Sequence, residues 1–142
     1  MFFIGRNTDY AVALEGALKM KEISYIHAES SAAGELKHGT IALIHEGQPV
    51  IALCCNDSIT EKTMSNIVEV KARGAEVLAA AFADNNKILS LADDVIFIPK
   101  CAELFCSVVE IVPLQLLAYY VAKENDCDID KPKNLAKSVT VE

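Results

Sequence analysis

Four stretches of this chain are apolar almost without interruption, and segments of helical character separate them. They are Phe2–Gly5, Val50–Cys54, Glu76–Phe82 and Asp94–Ile98. Each is too short for a buried helix and lacks the alternation of a half-exposed strand. Strands buried on both faces belong to parallel sheets. The segments around residues 10–27, 59–73 and 103–123 are long enough to serve as crossover helices. The predicted fold is α/β: a three-layer α/β/α sandwich with a mostly parallel sheet, followed by a C-terminal tail. Such folds bind ligands beyond the carboxyl ends of their strands. The loops after Gly5 and after Cys54 lie at that edge.

Local signals refine the boundaries. Thr8 or Asp9 can cap the first helix, and Ser58 with Glu61 has the spacing of a capping box before the second. Gly74 suits the residue just past that second helix. Residues 29–38 read as a short helix of their own. A single glycine, Gly5, between strand and helix is turn chemistry rather than an anion cradle, because Asp9 would repel a phosphate. Pro113 predicts a kink or irregularity in the last helix. The apolar run from Leu104 to Ala122 carries Glu110 near its middle, which disfavours a membrane span and predicts a buried helix. A strand beginning at the first residue suggests a boundary cut into a longer polypeptide.

A length of 142 residues fits one domain with a real core. The net charge of −7 and the lack of a basic stripe argue against nucleic acid and against an anionic membrane surface. The five cysteines form no C-x-x-C pair and read as free thiols in a reducing cytosol. The cysteine spacing makes a zinc knuckle or thioredoxin-type motif an unfavoured reading.

The segment Glu15–Thr40 stands apart. It holds three lysines, four glutamates and two histidines in 26 residues. Glu15, Lys19 and Glu22 share one helical stripe, either as a solvated face or as the wall of a cleft. Periodicity does not account for Lys37-His38-Gly39. His27 and His45 read as structural.

The run KEISYIHAESSAAGELKHG (residues 21–39) and the distant NLAKSVTVE (134–142) closely resemble the glucosamine-6-phosphate synthase family, the isomerising glutamine:fructose-6-phosphate aminotransferases. The resemblance covers essentially the whole chain and corresponds to the last sugar-isomerase (SIS) half-domain. It implies a half-domain over residues 1–133 and an active-site tail over 134–142. It implies that Glu22 moves the proton between C1 and C2 of the sugar, that His38 opens the ring, and that Lys137 forms an imine with the carbonyl. Lys19 and Ala136 correspond to substrate-binding positions. The implied ligands are fructose 6-phosphate and glucosamine 6-phosphate, in a cytoplasmic homodimer, and the resemblance implies no metal or organic cofactor. The first SIS half, with its phosphate loop, and the glutaminase domain would lie elsewhere in the polypeptide, so the isolated fragment should be inactive. Family members donate the histidine across the dimer interface. Thr40 stands where the family usually has proline, and Ser30-Ser31 where an aromatic residue is common. The alternatives are a non-catalytic phosphosugar-binding or dimerisation module and a fructosamine-type deglycase subunit.

These assignments make chemical sense. Isomerisation needs a carboxylate raised toward neutrality, and burial of Glu22 would raise it. Ring opening needs a proton carrier active near neutral pH, which suits histidine. An imine-forming lysine needs a lowered pKa, which the apolar neighbours of Lys137 would favour.

Overall fold

The computed structural model describes residues 1–135. Its centre is a five-stranded, wholly parallel sheet in the order β2-β1-β3-β4-β5. The strands are β1 (Phe2–Gly5), β2 (Glu29–Ala32), β3 (Pro49–Cys54), β4 (Glu76–Phe82) and β5 (Asp94–Ile98). Three α-helices cover it: α1 (Thr8–Ser24), α2 (Thr60–Lys71) and α3 (Cys106–Glu124). This strand order is the flavodoxin-like doubly wound arrangement.

Alternation along the strands builds two cores. Phe2, Ile4, Val50, Ala52, Val77 and Ala79 face α2, with Met64, Ile67 and Val70 opposite them. Phe3, Ile51, Leu53, Ala80 and Phe82 face α1 and α3, where Val12, Ala17, Met20, Leu114 and Ala118 close the second layer. The middle strands are small and β-branched residues buried on both sides, as a covered parallel sheet requires. At the end of β1 the chain turns sharply onto α1. A Cβ on Gly5 would lie 2.6 Å from the Asp9 carbonyl carbon, so that approach admits only glycine.

The structure corrects several expectations. Residues 29–38 are not one helix: Glu29–Ala32 pairs with β1 as an edge strand, and Ala33–His38 forms a 3₁₀ segment after it. The first helix ends at Ser24, not His27, because Tyr25 adopts the left-handed conformation (φ 59°). Neither Thr8 nor Asp9 caps it; Asp9 is buried and accepts the backbone N–H groups of Cys55 (3.0 Å) and Asn56 (3.3 Å). The Ser58–Glu61 box does not form either. Asn56 instead organises that turn, its Oδ1 accepting from the Ser58 N–H at 3.2 Å and the Ser58 hydroxyl at 2.6 Å. Gly74 takes the expected positive φ of 86°.

The last helix departs most. A 3₁₀ turn, Glu103–Phe105, precedes α3, which continues through Pro113 without a break. It is long and apolar enough by length and composition to cross a membrane, yet it packs along α1 within the sandwich. Its inward row is Cys106, Glu110, Leu114, Ala118 and Ala122, whereas Val108, Val112, Leu116 and Tyr120 point outward. The expectation of a buried helix therefore holds for one face only.

Candidate functional site

The charged stripe of α1 is real and tightly paired. Lys19 Nζ lies 2.6 Å from Glu22 Oε2 and 3.4 Å from Glu15 Oε1. The hydrogen bond to Glu22 raises the lysine pKa, against partial desolvation and helped by the Glu15 charge. Lys19 is thus held as a cation beside the carboxylate. Glu22 keeps 26% of its side-chain surface exposed, so the deep burial expected of it is not found. A half-exposed carboxylate with an ammonium on one oxygen leaves the other oxygen free for a ligand.

The last turn of α1 is also where the C-terminal connector returns. The Tyr25 hydroxyl accepts a hydrogen bond from the Lys133 backbone N–H at 2.7 Å, and Lys133 Nζ lies 5.5 Å above the Tyr25 ring centroid. The Ser24 hydroxyl closes the helix by donating to the Met20 carbonyl at 2.6 Å. Residues up to Leu135 therefore leave the body next to the turn that carries Glu22. Ala136 and Lys137 lie outside the described residues.

His38 is elsewhere. Because β1 and β2 are parallel, α1 must run back from the carboxyl edge of the sheet to its amino edge. Glu22 is therefore at the amino edge. His38 ends the 3₁₀ segment that follows β2, at the carboxyl edge. Its ring is 74% exposed, and its nearest charged neighbour is Glu35 Oε2 at 3.8 Å. One chain does not bring Glu22 and His38 together. Glu22 thus lies at the edge opposite the loops after Gly5 and Cys54.

That carboxyl edge, beyond β3 and β4, has a cleft of about 370 Å³ lined by Asp57, Thr60, Glu61, Asp84 and Lys100 among others. The chain's own charges pair with one another on its lining. Lys100 Nζ sits 3.0 Å from Asp57 Oδ2 and 2.8 Å from Asp84 Oδ2, above the Phe82 ring. Among the described residues no three His, Cys, Asp or Glu side chains gather as a metal site. His27 and His45 are both exposed.

Sequence reasoning missed two groupings. The carboxyls of Asp9 and Glu110 are both buried in the α1–α3 layer, near Cys54, Cys55 and Cys106. Burial pushes both upward, Glu110 to about 8 and Asp9 to about 6. The one signal was a glutamate inside an apolar run. The second grouping links Arg6, Asn66, Glu69 and Lys37 around the 3₁₀ segment; no spacing announces it.

Comparison with known proteins completes the description. The SIS domain profile matches residues 1–124. The chain is 58% identical, over all 142 residues, to a glutamine–fructose-6-phosphate aminotransferase (isomerizing) from Caldanaerobacter subterraneus, and spans 23% of that protein's length. It is 58% identical over 141 residues (99% of the chain) to the enzyme of the same name from Methanosarcina mazei, again 23% of the relative's length. Among solved structures it superimposes, with a TM-score of 0.87 and 40% identity, on the C-terminal domain of glucosamine-fructose-6-phosphate aminotransferase from Francisella tularensis, covering 92% of this chain and 37% of that one. The match to the Caldanaerobacter enzyme takes in the whole chain and lies in the C-terminal part of that enzyme. With the profile match and the parallel 2-1-3-4-5 sheet together, the chain belongs to the SIS domain family.

Proposed function

We propose that this chain is the C-terminal half of an isomerase domain that makes glucosamine 6-phosphate from fructose 6-phosphate and glutamine-derived ammonia. In this reading residues 1–133 are the half-domain and 134–142 its active-site tail. Glu22 takes a proton from C1 of the aminated sugar and returns one to C2. Lys19 holds Glu22 and meets the substrate, Ala136 contacts it through its backbone, and Lys137 forms the imine with the sugar carbonyl. His38 opens the ring for a site on a neighbouring subunit of a cytoplasmic homodimer.

The observation that carries this reading is the return of the connector to α1. Lys133 docks on Tyr25 one helical turn from Glu22. Lys137 stands four positions further on, and four residues reach at most about 14 Å. The opposite placement of His38 supports its service to a second subunit. The outward row of α3, with Leu14 and Leu18 exposed on α1, is apolar surface suited to being covered by other protein. A first SIS half, supplying the phosphate loop, and a glutaminase domain belong to the remainder of the relatives' length.

The test uses the full-length polypeptide, assayed with fructose 6-phosphate and ammonia. Lys137→Ala should abolish both turnover and the covalent adduct trapped by borohydride. Glu22→Gln should abolish turnover while leaving the trapped adduct. A Lys137→Ala enzyme that still yields adduct, or a Glu22→Gln enzyme at full rate, overturns the assignments. The 142-residue chain alone should show no turnover.

A further inference from the structure

We infer that Arg6 is a positioning residue for His38, acting through the 3₁₀ segment Ala33–His38; the inference rests on the reading of His38 as the ring-opening residue. His38 makes one charged contact, with a neighbour on its own segment, and its ring is largely solvated. Its position is therefore set by the backbone that carries it. Three contacts hold that backbone. Leu36 is fully buried beneath it. Lys37 Nζ reaches Glu69 Oε1 on α2 at 2.7 Å. Gly34 lies flat on the Arg6 guanidinium: a Cβ there would be 2.9 Å from Nη1 and 3.0 Å from Nη2.

The guanidinium is itself fixed. Arg6 directly follows β1, the strand paired with β2, so it leaves the sheet beside the segment. Its Nε donates to Asn66 Oδ1 at 3.1 Å. Asn66 is buried, and its Nδ2 donates to Glu69 Oε2 at 3.1 Å. Glu69 thus holds Asn66 with one oxygen and Lys37 with the other. Two points of the segment, Gly34 and Lys37, are tied to α2 through one continuous set of contacts. Among the described residues Arg6 has no carboxylate partner. The plane of the guanidinium, rather than its charge, is what the segment uses, and lysine has no such plane.

Ring opening breaks the bond between C2 and the ring oxygen; the C2 hydroxyl loses its proton and the ring oxygen gains one. An open-chain substrate skips this step. The experiment compares fructose 6-phosphate with its 5-deoxy analogue, which lacks the hydroxyl needed to close the furanose ring, in the full-length enzyme. Arg6→Ala should slow turnover of fructose 6-phosphate by about tenfold to a hundredfold, the range expected when a positioned group shifts by up to an ångström. Turnover of the 5-deoxy analogue should be unchanged. Arg6→Lys should not rescue. Gly34→Ala, which crowds the guanidinium without removing it, should show the same selectivity if Arg6→Ala does not fold. Equal losses on both substrates, no loss on either, or rescue by lysine would overturn the role of Arg6. His38→Ala is measured on the same pair: if it slows both substrates alike, the ring-opening reading itself falls, independently of Arg6.

Discussion

Glu110 has no exposed surface, and neither carboxylate oxygen has a hydrogen-bond partner among the described residues. Asp9 shares its layer and uses one oxygen on two backbone N–H groups while the other has none. Burial disfavours the charged form of both, and for Glu110 the Asp9 charge adds to it. The folded chain therefore holds a proton that the unfolded chain releases above the ordinary carboxylate range. Where the native state binds more protons, stability falls as pH rises. The contribution is fully present below about pH 4.5 and is lost as pH rises through about 8, the value to which Glu110 is pushed. Urea midpoints measured from pH 5 to 9 should decline across this window. Glu110→Gln, neutral at every pH, should flatten the decline and exceed the unsubstituted chain at the alkaline end. A Glu110→Gln curve parallel to the original would show that this carboxyl is not the source.

At the scale of elements, Leu36 is the larger of the two buried apolar side chains of the segment Ala33–His38. Leu36 is fully buried among Ile4, Ala52 and Ile67. Leu36→Ala should cost about 2–5 kcal/mol, the usual range for emptying such a site, read as a lowered urea midpoint. The elements differ in how openly the sequence declares them. β1, β3, β4 and β5 are apolar runs between turns, and they fold where those runs lie. β2 is Glu-Ser-Ser-Ala on the sheet edge; with one strand neighbour and no apolar run, it carries no strand signal. α3 is apolar all round, so no stripe marks its inner face. Contact with α1 decides it: a Cβ on Gly16 would lie 2.7 Å from Leu114 Cδ1, so the helices meet along small residues and larger side chains turn outward. Of the site, the Lys19–Glu22 pair was legible because it is local. Asp9 with Glu110, and Arg6 with Gly34 and Asn66, join positions far apart in the chain, where spacing carries no information.

At the scale of the molecule, helix direction decides what one chain can do. A parallel pair joined by a helix sends that helix back across the sheet, so the acid on α1 and the imidazole after β2 end at opposite rims. On the proposed reading of a site shared between two subunits, two defective polypeptides should repair each other. Full-length enzyme carrying Glu22→Gln and enzyme carrying His38→Ala should each be inactive alone. Co-expressed, half of the dimers are hybrids, and one of the two sites in each hybrid pairs an intact acid with an intact imidazole, so about a quarter of the unmutated activity should return. A co-expressed pair that stays dead would overturn the sharing of these two groups between subunits. Under the proposed roles, genetic complementation between two null alleles follows from the direction of a single helix.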